Sequence, residues 1–254
     1  MVSEPTSFLR EFTRARAEVV TERPFGFVAR SMGRFPHSHD HNVAVVTSTP
    51  VDPAALLADV EAEFADVGYR RIETDDDDAA LASVLTDAGY EREDQVVMTL
   101  VGAPDTDRPA STGVVELTLT ERVEIADRVW QADFDERDPI VRRELAERAH
   151  TAVAAAACTF LGVVGPEGVE ATCDLFVRGD TAQVEEVSTL TPYRGRGHAS
   201  RLVRAACDRA RADGSDRLVF LLAEAADWPR HLYARLGFEV TGHRVVWSRS
   251  VSDP

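Results

Sequence analysis

Apolar positions along this chain switch between strand and helix periods, and the switches divide it into elements. In residues 1–22, Phe8, Leu9 and Phe12 stand among charges, which predicts at most a short amphipathic helix. Phe25 to Met32 reads as a strand, and so does Asn42 to Thr49, with Val43, Val45 and Val46. Asp52-Pro53 then pairs a capping carboxylate with proline at the first helical position. Leu56, Leu57, Val60 and Phe64 mark one face of the helix that follows, and Gly68 ends it. Tyr69 to Glu73 reads as a short strand. The acidic run Asp75 to Asp78 suits the solvated start of a helix through Ala88, because carboxylates favour helix N-termini, and a strand follows around Gln95 to Val101.

Ala103 to Gly113, rich in Pro, Asp, Thr and Ser, reads as a linker. Beyond it, Val114 to Leu119 reads as a strand and Val123, Ala126, Val129 and Trp130 as a helix face. Asp138-Pro139 caps a second helix through Leu145 to about Val153. Phe160 to Val164, Val169 to Val177 and Thr181 to Leu190 form a meander, with turns at Gly165-Pro166-Glu167-Gly168 and Arg178-Gly179-Asp180. Ala199, Leu202, Val203, Ala206 and Ala210 recur at helical spacing. A strand (Arg217 to Ala223), a helix capped by Asp227 with Pro229 in its first turn, and a strand (Phe238 to Ser248) complete the chain. The last five elements repeat an earlier order, and Leu85 to Glu91 aligns with Tyr233 to Glu239. The organisation expected is therefore two units, 1–103 and 114–254, joined by a linker at 104–113.

The chain has 254 residues and a net charge of -16, with no lysine, so nucleic acid and anionic membranes are poor partners. No stretch approaches the roughly 20 apolar residues of a membrane span, and Met1 to Arg16 lacks the apolar core of a signal peptide. Cys158, Cys173 and Cys207 have neither zinc-site nor disulfide-framework spacing, so a reducing cytoplasm is expected. His37, His39 and His41 form the one histidine cluster. Alternating histidines can ligate a metal from an extended strand, but Pro36, Ser38 and Asp40 favour a polar loop, and no metal is expected.

The densest candidate chemistry is Tyr193-Arg194-Gly195-Arg196-Gly197-His198-Ala199, between a strand and a helix. A glycine-rich turn that opens a helix presents unpaired amides and a positive dipole end to an anion, and two arginines add charge. A Walker loop would end in Gly-Lys-Ser/Thr, and a dinucleotide fingerprint would follow a first strand. Neither fits. Arg194-x-x-Gly197-x-Ala199 instead resembles the Arg/Gln-x-x-Gly-x-Gly/Ala signature of the GCN5-related N-acetyltransferases (GNATs). Further on, Leu232-Tyr233-Ala234-Arg235-Leu236-Gly237-Phe238 resembles that family's second motif, in the correct order and spacing.

The resemblance implies an α/β (α+β) GNAT fold: a mixed central sheet flanked by helices, with a splayed pair of parallel strands. The catalytic copy would be 114–254, preceded by a smaller, degenerate copy that has Ser48-Thr49-Pro50-Val51-Asp52 in place of the loop and Leu85 in place of Tyr233. It implies acetyl-CoA as co-substrate. The pyrophosphate would lie on Arg194, Gly195, Arg196, Gly197, His198 and Ala199, and the pantetheine arm along the main chain of Val187, Ser188 and Thr189. Asp227 stands where many members have an asparagine that holds the pantetheine. Tyr233 would protonate the departing thiolate, since a phenol keeps its proton at neutral pH.

Glu185 or Glu186 would deprotonate the amine. Neighbouring strand residues face opposite ways, so only one of the two is expected in the cleft: Glu185 is the first choice and Glu186 the alternate, because a bulge at this point would flip the phase. Trp130, Phe134 and Asp135 are positions for acceptor contacts. The activity implied is acetyl transfer to a primary amine of a small molecule or peptide. The alternative is a non-catalytic acyl-CoA-binding or regulatory module. A tRNA- or ribosome-directed acetyltransferase conflicts with the acidic surface.

Overall fold

The computed structural model describes residues 3–48, 52–75, 78–102, 113–134, 136–212 and 215–251. Outside them lie Asp135, residues 49–51 of the stretch that stands in place of the loop in the first unit, Asp76 and Asp77 of the acidic run, and all of the 104–113 linker except Gly113.

The first unit comprises α1 (Glu4–Arg16), β1 (Val19–Arg23), β2 (Gly26–Arg30), β3 (Val43–Val46), α2 (Pro53–Glu63), β4 (Tyr69–Thr74), α3 (Ala79–Asp87) and β5 (Glu91–Leu100). The second comprises β6 (Val114–Leu117), α4 (Leu119–Asp133), α5 (Pro139–Glu147), α6 (Ala149–Ala155), β7 (Ala157–Gly165), β8 (Gly168–Arg178), β9 (Thr181–Thr189), α7 (His198–Ala210), β10 (Leu218–Glu224), α8 (Pro229–Arg235) and β11 (Phe238–Ser250).

Local sequence explains most helix starts. The side chains of Ser3, Asp52, Asp78, Thr118 and Asp138 accept hydrogen bonds from the first amides of their helices, and Thr118 with Glu121 closes a capping box. Three features differ from expectation. β1 forms although its residues are half-buried or exposed, because it pairs with β2 at the sheet edge. The helix expected from 138 to about 153 is broken at Arg148, whose guanidinium turns inward to Asp40 and Glu186. Asp227 does not cap α8. That helix begins after Trp228 with no side-chain cap, and the Asp227 carboxylate instead accepts from the Trp228 N–H at 2.7 Å.

All eleven strands join one sheet, in the order β1-β2-β3-β4-β11-β5-β10-β9-β8-β7-β6. Among the described residues only β3/β4 and β9/β10 pair in parallel. The two units exchange their last strands: β11 lies between β4 and β5, and β5 lies between β11 and β10, all antiparallel. Packing follows the exchange. Val245 and Trp247 of β11 join Leu56, Val60, Ile72 and Leu85 in the core under α2 and α3. Val96, Met98 and Leu100 of β5 join Leu175, Val184, Leu202 and Val219 under α7 and α8. Side chains alternate across a strand, so Val97 points to the opposite face and joins the core that holds Phe160, Phe176 and Phe220. There α1 crosses onto the second unit, with Phe8 edge-on to Phe220 (5.3 Å) and Phe12 stacked on Phe176 (5.0 Å). Among the described residues no helix is long and apolar enough to cross a membrane.

Candidate active site

The parallel pair β9/β10 is joined only at Thr181–Gln183 and Leu218–Phe220. Beyond that the strands part, β9 staying with β8 and β10 with β5. From Val184 to Thr189 the edge of β9 that would face β10 is left without a strand, so the main chain at Val187, Ser188 and Thr189 can pair with an extended ligand. The wedge ends at the loop before α7.

In that loop Gly195 and Gly197 both have φ +77, and a Cβ on either would meet nothing within 4 Å. Gly197 is the N-cap of α7 and offers no side chain to its first amides, so those donors remain available to an anion. Arg194 is half-committed: it donates to the Thr189 carbonyl and pairs with Asp133 at 2.8 Å, tying the loop to α4. Arg196 lies over the Tyr193 ring. The His198 side chain turns away into the interior, 3.0 Å from Glu170 and in contact with Arg201. What His198 can offer a phosphate is its main-chain N–H.

A cavity of about 480 Å³ lies on the α1 side of the sheet and is lined by both units. Glu185 and Glu186 both line it, so the expectation that only one could do so is corrected. The register explains why. Thr172 pairs with Ser188 and Asp174 with Glu185, leaving Cys173 opposite two residues, Glu186 and Val187. Glu186 absorbs this bulge with φ +53, the one left-handed non-glycine residue among those described, and both carboxylates turn to the same side.

The two carboxylates are not equivalent. Glu186 is held by Arg148 (3.2 Å) and Arg122 (3.6 Å), and Arg122 is itself paired with buried Asp174 at 2.6 Å. Among the described residues Glu185 has no arginine within ion-pair distance, and it accepts a hydrogen bond from the Gln183 amide. Burial, then repulsion from Glu186 and Asp40, pushes its pKa up to about 7. It is a carboxylate that can exchange a proton at neutral pH.

Tyr233 is buried beneath the other face, edge-on to Phe238 (6.3 Å) in the α7/α8 core. Its hydroxyl has no hydrogen-bond partner among the described residues. Burial, then the charge of Glu185, raises its pKa, so it stays protonated. Asp227 is exposed at the turn into α8. Trp130 and Phe134, 4.5 Å apart, line the cavity wall, with Arg148 over the indole.

The histidine loop clamps the units together. The Glu144 carboxylate accepts from the His37 main-chain N–H (2.7 Å) and lies 2.6 Å from its Nδ1, His39 stacks on Tyr69 (3.8 Å) and buried His41 bonds Ser38 (3.0 Å) and Thr151 (2.9 Å). Among the described residues no group of His, Cys, Asp or Glu is placed to hold a metal. The clamp delivers Asp40 into the cavity, between Arg71 (3.2 Å) and Arg148 (2.9 Å). Burial favours the neutral acid there, but Arg71, Arg148 and Arg16 outweigh it and hold the carboxyl well below its usual range.

Sequence reasoning missed Asp40, Arg122, Arg148 and Arg16 as cavity residues. One signal was present: Arg16 follows Phe8 and Phe12 at four-residue steps, which puts a cation on the apolar face of α1.

Residues 113–238 match the acetyltransferase (GNAT) family. No curated protein matches the chain in sequence. Its fold is similar to that of a GCN5-related N-acetyltransferase from Kribbella flavida (18% identity over 95% of this chain and 93% of that one, TM-score 0.61). It is also similar to a putative GNAT acetyltransferase from Novosphingobium aromaticivorans (18%, 96% and 97%, TM-score 0.59). A tandem GNAT protein from the clavulanic acid biosynthesis pathway aligns over 100% of this chain and 98% of its own, at 15% identity and a TM-score of 0.57. At these identities the likeness is one of fold.

Proposed function

Since this chain belongs to the GNAT acetyltransferase family, in a tandem arrangement, we propose that it transfers acetyl from acetyl-CoA to a primary amine held in the cavity between its units. The observation that carries the reading is Glu185: a carboxylate free of arginine, poised near pH 7, beside the point where β9 leaves β10.

When bound, acetyl-CoA supplies a thioester carbonyl and a thiolate leaving group. The residues that fit it are the main chain of Val187, Ser188 and Thr189 along the open edge of β9. At the far end, Gly195, Gly197 and the first amides of α7 suit its pyrophosphate, with Arg194 and Arg196 adding positive charge. Asp227 borders the turn into α8, too exposed and too acidic to replace the amide donor many members have there.

An amine arrives as ammonium, which the two adjacent carboxylates attract. Glu185 accepts its proton, and the neutral nitrogen can then attack. Glu186, pinned by Arg148 and Arg122, repels the Glu185 charge and so helps hold Glu185 basic enough to do this. Tyr233 retains the proton needed by the departing sulfur. The Trp130 and Phe134 rings suit the aliphatic part of an acceptor.

Mixing the protein with acetyl-CoA and a panel of amines, while following thiol release, tests the proposal. Release that depends on the amine, and that collapses in Tyr233→Phe while coenzyme A binding persists, is expected. Cofactor binding without release for any amine, in the folded protein, would leave the acyl-CoA-binding module as the better account.

A further inference from the structure

Five arginines reach the cavity, and four are neutralised by acids of the chain. Arg71 pairs with Asp40 (3.2 Å) and Glu73 (3.1 Å), Arg122 with Asp174, Arg148 with Asp40 and Glu186, and Arg244 with Glu73. Arg16 has no carboxylate within ion-pair distance among the described residues. One of its terminal nitrogens reaches the main-chain oxygen of Asp40 at 3.5 Å, the edge of hydrogen-bond range, and its Nε is buried with no partner. The Phe12 ring, 4.6 Å from the guanidinium carbon, supports the group from one side. An uncompensated guanidinium in such a place is costly unless a ligand completes it.

We infer that the acceptor bears a carboxylate as well as its amine, that Arg16 receives that carboxylate, and that the substrate class is therefore a small amino carboxylate. The inference rests on the cavity being the acceptor site of an acetyltransferase. The planar guanidinium fork matches a carboxylate in two parallel hydrogen bonds. One unpaired cation calls for one negative charge, and the seven carboxylates lining the same cavity oppose a multiply charged anion such as a phosphate ester. Arg16 comes from the helix packed over the sheet, and Glu185 comes from the sheet. A zwitterion spanning the cavity would put its ammonium on Glu185 and its carboxylate on Arg16. Burial lowers the pKa of Arg16, partly offset by Asp40, and the charge of Glu185 is among those that Arg16 feels. The aliphatic segment between the two ends of the substrate would lie against Phe12, Trp130 and Phe134.

Matched pairs test this: glycine, β-alanine, γ-aminobutyrate and the common L-amino acids, each beside the amine that lacks its carboxylate. Two readouts are needed, thiol release with acetyl-CoA and calorimetric binding to protein saturated with free coenzyme A, which requires no turnover. At least one amino carboxylate should exceed its partner amine by about tenfold or more in kcat/KM, chiefly through KM, as expected for one charge-assisted pair. Arg16→Gln should bring that ratio close to one, and Arg16→Lys should restore part of it, with retained coenzyme A binding confirming the fold of both variants. Acetylation of amines with no such preference, or a preference that survives Arg16→Gln, overturns the inference and leaves the acetyltransferase reading standing. Arg16-dependent binding of an amino carboxylate without any thiol release does the reverse. Neither release nor Arg16-dependent binding overturns both.

Discussion

In the first unit β3 stays paired with β4 to its last residue, Val46 opposite Thr74, whereas in the second β9 leaves β10 after Gln183 and runs on without it through Thr189. The helices that follow differ in the same sense. The amides of Ala54 and Ala55 at the start of α2 are taken by the Asp52 carboxylate, while α7 starts at a glycine and keeps its amides free. On the next helix Leu85 is fully buried where the second unit has Tyr233, although the glycines that follow, Gly89 and Gly237, share a positive φ. The same β-α-β-α-β order thus gives a closed unit in one case and an open one in the other. A binding site here depends on what is left unpaired: a strand edge, a helix start, one carboxylate and one guanidinium. The closed unit still takes part, because its loop brings Asp40 into the cavity and its last strand fills the place between β10 and β11.

Removing what the open unit has and the closed unit lacks should have the largest effect. Glu185→Gln should lower kcat/KM for thiol release by about 10²–10⁴-fold, the range for a general base. The wild-type profile should rise with pH through about 7, because the carboxyl must lose its proton to act, and the variant should lose that rise. Turnover with an unchanged inflection near pH 7 would assign the base to another group.

Closing the open helix comes next. Gly197→Asp places a carboxylate at the start of α7, in open space but at the left-handed backbone angle (φ +77) that aspartate visits only at a cost in strain. Coenzyme A affinity measured by calorimetry should fall by about tenfold or more, since the new carboxylate repels phosphate at the helix start. Its mirror, Asp52→Ala, should cost about 1 kcal/mol of stability in denaturant unfolding and leave that affinity unchanged.

A finer test asks whether the closed unit tunes the open one. Asp40 raises the Glu185 pKa, so Asp40→Asn should move the inflection of the pH profile downward, by up to about one pH unit. A profile that does not move would confine Asp40 to clamping the units.

The repeat and the loop before α7 were legible in the sequence because each is written in local signals: a period, a cap, a glycine, a motif spacing; the splayed pair was expected only through the family resemblance those motifs carry. The strand exchange was not legible, since nothing in Glu91–Leu100 or Phe238–Ser250 says which neighbour each will take. The pairing of Glu185 and Glu186 in one cavity was also hidden. It hangs on the left-handed backbone at Glu186, which β8 imposes by offering one residue opposite two. Likewise Arg16, Asp40 and Arg148 lie far apart in the chain and acquire meaning only when α1, the histidine loop and the break between α5 and α6 converge.

The measurement that bears most directly on this account is the stoichiometry of coenzyme A binding by calorimetric titration of the intact chain. One equivalent per chain, weakened by Gly197→Asp, is predicted. A second equivalent, or binding indifferent to Gly197→Asp, would contradict the division into one open and one closed unit.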